Sequence, residues 1–174
     1  MVAGELESRL RKLAENVAVE LRSQDKKCVF AESCTGGKMA AAITGVPGIS
    51  GYFCGSAVTY RESCKTSWLG VSASVLSQHS AESAETTVAM ARAVLEKTIE
   101  ANCSVAITGH LGPGVDDAID GRIFVVCAHR EDASRGPIKI VSSSHQLTAD
   151  NRQQRQTEAA CAAFEDFLVA IEGS

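Results

Sequence analysis

The sequence predicts an α/β protein: a three-layer α/β/α sandwich around a mixed, mostly parallel sheet. Three observations lead there. Short apolar runs of strand length, at 28–31 and 105–107, alternate with segments whose apolar residues recur every three or four positions. The short runs lack polar alternation, as strands covered on both faces do. Two further apolar runs, at 123–127 and 138–147, are close enough to form a hairpin, which adds antiparallel character. At 174 residues, with no internal repeat, low-complexity tract or linker, the chain reads as one domain over 1–174. A core of that size needs no covalent staples.

The elements follow in order. Leu6, Leu10, Leu13, Val17 and Leu21 form one face of a helix over 5–24. Cys28, Val29, Phe30 and Ala31 make a buried strand, bounded by Lys26, Lys27 and Glu32. Ser33-Cys34-Thr35-Gly36-Gly37 turns into an Ala-rich helix that stops near Gly45 and Pro47. Residues 51–60 read as a second strand, and 61–70 as a short helix closed by Gly70. Ser72 and Ser74 suit the cap of a turn at Val75 and Leu76. Ser83 suits the cap of a helix over 84–100, apolar at Val88, Met90, Ala91, Val94, Leu95 and Ile99. Strands follow at 105–107 and 123–127. A fifth strand pairs with the fourth through a turn at 134–137. The last helix covers 150–171, apolar at Ala159, Ala160, Ala163, Phe164, Phe167 and Leu168.

Composition excludes several classes. Hydrophobic residues are 45% and charged residues 22%, so the chain is not disordered. A net charge of −4 argues against a general nucleic-acid binder, which needs a basic excess to meet phosphates. No apolar run reaches the roughly 18 residues of a membrane helix, and the charged start is no signal peptide. The expected compartment is the cytoplasm. The seven cysteines are odd in number, lack CxxC pairs and sit mostly in apolar strings. They read as buried free thiols, which also suits a reducing compartment. No Cys/His cluster has the spacing of a metal site.

The chemistry concentrates at VFAESCTGGKMAAAI. A hydroxyl sits where a buried strand ends and a helix begins. In open α/β sheets, ligands gather at the carboxyl ends of strands. Amides at a helix start are unsatisfied and suit a phosphate or the oxygen of a tetrahedral intermediate. Ser33 stands where a nucleophile is useful, with the amides of Cys34, Thr35 and Gly36 as candidate donors. Gly36 and Gly37 let a ligand approach the backbone. The plainer reading is an N-cap serine and a glycine turn. The segment is neither a Walker A loop nor a Gly-x-Ser-x-Gly elbow.

The motifs also resemble a known family. Ala31-Glu32-Ser33-Cys34-Thr35-Gly36-Gly37 is followed by Thr44-Gly45-Val46-Pro47-Gly48 and by Gly55, Val58, Tyr60, Lys65, Leu69, Gly70 and Val71 at matching spacing. The match continues through His79-Ser80-Ala81-x-Ser83, Met90-Ala91, Ile107-Thr108-Gly109 and Gly112-Pro113-Gly114. It closes at Asp150-Asn151-Arg152 with Arg155. Together these resemble the CinA C-terminal domain family, which includes stand-alone nicotinamide-nucleotide amidases. The resemblance spans about 5–170. It implies hydrolysis of the carboxamide of nicotinamide mononucleotide, without a metal or other cofactor, through a serine nucleophile. Carried over by position, Ser33 is that nucleophile. Lys65 is the general base, and Tyr60 belongs to the proton relay. Thr108 and Gly109 line the site, and Arg152 faces the phosphate. The implied partners are a small nucleotide substrate and other copies of the chain, not nucleic acid or membrane. Elementary chemistry agrees, since serine needs a base to take its proton, and burial makes a lysine neutral enough to serve.

One segment departs from the pattern. His110 stands where the family has an aliphatic residue, Arg122 replaces a threonine, and Asp116, Asp117 and Asp120 enter a loop about two residues shorter. His110 could be a site residue or a pH-sensitive switch, but the plainer reading is a surface loop histidine, since loops tolerate such change. The aspartates lack calcium-loop spacing and read as a solvated loop. Two alternatives to the deamidase therefore stand: a nucleotide-binding domain with weakened turnover, and a serine amidase for another small amide.

Overall fold

The computed structural model describes residues 3–130 and 136–172. Its strands are β1 (Cys28–Glu32), β2 (Phe53–Val58), β3 (Cys103–Gly109), β4 (Arg122–Arg130) and β5 (Ile138–Gln146). They form one sheet in the order β2-β1-β3-β4-β5. β1 lies between β2 and β3 and is parallel to both. β4 is antiparallel to β3 and to β5. Four strands thus run one way and β4 runs against them, the mixed and mostly parallel sheet that the sequence predicts.

The helices are α1 (Ala3–Ser23), α2 (Lys38–Thr44), α3 (Glu62–Cys64), α4 (Ala73–His79), α5 (Ala84–Lys97) and α6 (Arg152–Glu172). α3 runs on into a π-helical turn over Lys65–Leu69. α1, α2 and α6 cover one face of the sheet, and α5 covers the other. β1 divides its side chains between the two layers: Cys28 and Phe30 face the first, Val29 and Ala31 the second. This two-sided burial explains why its sequence is apolar without alternation. The Phe30 ring sits 4.8 Å from Phe53, 5.9 Å from Phe164 and 6.2 Å from Phe167, centroid to centroid. Sheet and C-terminal helix are locked together there.

The periodic readings hold with local shifts. On α1 the buried stripe is Leu6, Leu10, Ala14, Val17, Ala18 and Leu21, while Leu13 sits at its rim. Ile99 is 80% exposed instead of buried. The physical reason is that α5 ends at Lys97 and Thr98 leaves helical geometry (φ −109°, ψ 85°), so the periodicity stops two residues early. Val88 and Leu168 pack at the edges of their clusters. β2 stops at Val58, leaving Tyr60 outside the strand. Ser72 caps α4 and Ser83 caps α5, each accepting from a backbone amide. β4 and β5 pair from Arg122↔Gln146 to Arg130↔Ile138, but the expected turn at 134–137 lies partly outside the described residues. The cysteines are free thiols: Cys28, Cys34, Cys103, Cys127 and Cys161 are buried, Cys54 and Cys64 half-buried. Among the described residues, no helix is long and apolar enough to cross a membrane.

Candidate active site

The site lies at the carboxyl end of β1, the central strand of the parallel half. Ser33 extends the β1–β3 pairing by one step, its amide donating to Ile107 O at 3.1 Å. The chain then turns, with the Gly36 amide donating to Ser33 O at 3.1 Å. Gly36 and Gly37 adopt φ of +63° and +95°, a conformation that disfavours side chains.

Lys65 reaches the same point from the π-helical turn. Its Nζ lies 2.9 Å from Ser33 Oγ and 2.9 Å from Thr59 O. Lys65 is fully buried and Ser33 nearly so. Burial holds the amine below the ordinary lysine range. Glu82 opposes that shift most strongly, followed by Cys34, Glu62 and Cys64. The pair has what activation of a hydroxyl requires: an amine in hydrogen-bond reach, with its charged form disfavoured. The neighbouring Cys34 thiol is pushed up to about 12 by burial and is no competing nucleophile.

Ser33 opens into a pocket of about 180 Å³. Cys34, Tyr60, Gly109, His110 and Arg152 line it, together with Glu82 and the Gly112–Pro113 segment. Arg152 donates to Tyr60 Oη at 2.9 Å and to Gly112 O at 2.6 Å. It thus joins the start of α6 to Tyr60 and to the 109–121 loop. Arg155 fixes the same loop, with Nη1 2.8 Å from both Asp120 oxygens. Gly109 permits the close crossing at the end of β3. A Cβ there would meet Arg122 O at 2.6 Å.

Several expected site residues stand elsewhere. Thr35, Gly36 and Gly37 line a neighbouring groove of about 450 Å³ with Lys38 and Gln156, not the Ser33 pocket. The Gly36 amide is already bonded to Ser33 O, so it is no free oxyanion donor. Thr108 is buried, its hydroxyl 2.8 Å from that of Thr87, and it supports the pocket from behind. His110 lines the pocket, which favours the site reading over the surface one. Arg122 points to a different part of the β4–β5 surface, beside Phe124, Ser144 and His145. Asp120 is paired with Arg155, and Asp116 accepts from the Ala118 amide. Among the described residues, no group of three His, Cys, Asp or Glu is arranged to hold a metal ion.

Sequence reading missed two residues. Glu32 is fully buried and caps α2 from inside. Its Oε2 accepts from Thr35 Oγ1 at 2.8 Å and from the Gly37 and Met39 amides, each at 3.1 Å. Its Oε1 accepts from the Ala40 amide and Ser56 Oγ, each at 3.0 Å. The Gly37, Met39 and Ala40 amides at the start of α2 are therefore satisfied by protein, and the Gly36 amide by Ser33 O, which leaves those of Cys34 and Thr35 from the expected donors. A carboxylate closing an apolar strand, a few residues before a helix without a Ser/Asp cap, is the available signal. The second is Glu82, at the unmatched position between Ala81 and Ser83.

The fold and the site together define an α/β sandwich protein with a buried serine–lysine pair at the end of its central parallel strands. The comparisons with known proteins are specific on the family. The CinA C-terminal domain profile matches residues 10–171, and the chain belongs to that family. It is 37% identical over 166 residues to a CinA-like protein of Chlorobium phaeovibrioides, covering 94% of this chain and 38% of that one. A Myxococcus xanthus CinA-like protein is 42% identical over 108 residues, 62% of this chain and 25% of its own. The chain therefore spans well under half the length of these relatives. Among solved structures, the competence/damage inducible protein CihA of Agrobacterium tumefaciens superposes with a TM-score of 0.84 at 27% identity, over 94% of this chain and 96% of that one. A Klebsiella pneumoniae CinA superfamily protein has a TM-score of 0.85 at 23% identity, over 95% and 99% of the two chains, and supports the fold.

Proposed function

We propose that the protein is a serine amidase that converts nicotinamide mononucleotide to nicotinate mononucleotide and ammonia. The observation that carries this reading is the 2.9 Å contact between the buried Lys65 Nζ and the Oγ of Ser33, a residue that lines the pocket. The family resemblance supplies the substrate.

Neutral Lys65 takes the hydroxyl proton as Ser33 Oγ attacks the carboxamide carbon. The tetrahedral intermediate collapses with cleavage of the C–N bond, and the Lys65 proton leaves with ammonia. Water then attacks the Ser33 ester. Lys65 takes the water proton and returns it to Ser33 Oγ as the carboxylate departs. Arg152 suits the phosphate, because a guanidinium has five N–H donors and two here are engaged by Tyr60 and Gly112. The Cys34 and Thr35 amides remain the candidate oxyanion donors. A pocket of about 180 Å³ is small for a whole nucleotide. It accepts the ring and amide, with the ribose phosphate extending past Arg152.

Ammonia release from nicotinamide mononucleotide by the wild type, set beside Ser33→Ala, tests the reading. A loss of roughly 10³-fold or more is expected. Equal release by the two proteins sinks it. The pocket's small volume also favours a second reading, an amidase for a compact amide without phosphate. Arg152→Ala separates the two. It should raise KM for the nucleotide by about 10–100-fold, the loss of one charged hydrogen-bonded contact, and raise KM for a phosphate-free amide much less.

A further inference from the structure

Glu82 lines the Ser33 pocket but is not used in the chemistry above. It lies in the short bend between α4 and α5, and that bend is tightly built. Ser80 O accepts from Thr86 Oγ1 at 2.6 Å and from Ser83 Oγ at 3.3 Å. Ser83 Oγ accepts from the Thr86 amide at 3.1 Å, and Ser83 O accepts from Thr87 Oγ1 at 2.6 Å. Thr87 in turn meets Thr108 behind the pocket. The backbone carrying Glu82 is therefore held in place from both ends.

The carboxylate itself is half-buried and makes no hydrogen bond or ion pair with any described residue. It feels the charge of Lys65 without closing to contact. Withdrawing a carboxylate from water without a partner is unfavourable. Such a group in a pocket wall, next to a nucleophile, is set to meet something that enters. A carboxylate only accepts hydrogen bonds and attracts positive charge. Arg152 lines the same pocket with the opposite charge. The pocket is thus bipolar, and its complement carries an anion and a cation on one small molecule.

We propose that Glu82 is a specificity-determining residue whose carboxylate selects an amide borne on a positively charged ring over the same amide on a neutral ring. The proposal rests on the amidase reading for the position of the amide, and what it adds is the residue that reads the charge of the ring. Glu82 and Arg152 then read the two charges of a zwitterion, while Ser33 and Lys65 handle the amide between them.

The test uses Ser33→Ala protein, so that nothing turns over, and titration calorimetry with two matched pairs. One pair is nicotinamide mononucleotide and its dihydro form, which share phosphate and amide but differ in ring charge. The other is the 1-methylnicotinamide cation and neutral nicotinamide. With Glu82 present, the cation of each pair should bind about tenfold more tightly, the scale of one partly screened charge pair. In Ser33→Ala/Glu82→Gln the preference should fall to near unity, with the neutral members unchanged. Glu82→Gln is isosteric and half-exposed, so the fold tolerates it. A preference that is the same with Glu82 and with Gln overturns the proposal. If the nucleotides do not bind but the methylated cation keeps a Glu82-dependent preference, the nucleotide reading fails and this one stands. Absence of binding by all four compounds overturns both.

Discussion

Glu32 and Lys65 are both ionisable, both fully buried and both packed around the end of β1, yet their surroundings are opposite. Glu32 accepts five hydrogen bonds from side chains and helix amides. Lys65 has two polar contacts, one of them the serine hydroxyl, and is desolvated. A buried charge with every lone pair matched holds a structure together. A buried amine with few partners has its proton held loosely, and that suits it to move protons. Adjacent residues, Glu32 and Ser33, thus hold a scaffold and a proposed nucleophile at the same strand end.

The sharpest way to break the comparison is Lys65→Met. Removal of the proposed base should lower amide turnover by roughly 10³-fold or more. Stability should change by less than about 1 kcal/mol, because an apolar chain of similar length replaces a desolvated amine. Turnover and thermal unfolding measured on one preparation decide it. Substantial turnover in the variant removes Lys65 from the proposed role, and a collapse in stability makes it a scaffold residue like Glu32.

Glu32→Gln probes the other side with a smaller effect on free energy. The shape is kept, but an NH₂ group replaces one oxygen and faces N–H or O–H donors. The expected cost is about 2–4 kcal/mol in denaturant unfolding, from weakened charge-assisted bonds and at least one buried donor left unmatched. Turnover per folded molecule should fall much less than in Lys65→Met. Unchanged stability would show that the α2 cap contributes little.

The contrast also marks what could be read from the sequence. Phe30 and Val29 announce a strand covered on both faces, and Leu6, Leu10, Val17 and Leu21 announce a helix. In these, local periodicity and tertiary burial agree. Ile99 shows where they part, since nothing local says that α5 stops at Lys97. Ser33 stands out at the strand–helix turn, and Lys65, Tyr60 and Arg152 only through motif resemblance; the fold lines one pocket with Ser33, Tyr60 and Arg152 and brings Lys65 into contact with Ser33. Spacing alone gives no reason to join Lys65 to Ser33, because their meeting depends on β1 and β2 lying side by side. A helix start usually leaves its amides unsatisfied, yet those of Gly37, Met39 and Ala40 are taken. The group that satisfies them comes from the strand before the turn, a partner that capping rules do not look for. Gly36 and Gly37 were placed correctly as a sharp turn, but that turn lines another groove.

The smallest expected effect tests whether Lys65 is tuned by its surroundings. A base acts in its neutral form, so amide turnover should rise with pH through the Lys65 pKa, which burial holds below the usual lysine range. The negative charge of Glu82 works against burial and raises that pKa, as do the lesser contributions of Cys34, Glu62 and Cys64. Glu82→Gln removes the largest opposing charge. The Lys65 pKa should then fall further, and the acidic limb of the pH–rate profile should move to lower pH. Glu62→Gln should move it in the same direction by less, because Glu62 ranks below Glu82 among the causes. Profiles of kcat/KM for the three proteins, taken with a neutral-ring amide, isolate the base from any effect of Glu82 on substrate charge. A limb that moves to higher pH, or does not move, would show that Lys65 does not set it. The contrast between a matched Glu32 and a poised Lys65 would then lose its chemical half and keep only its structural one.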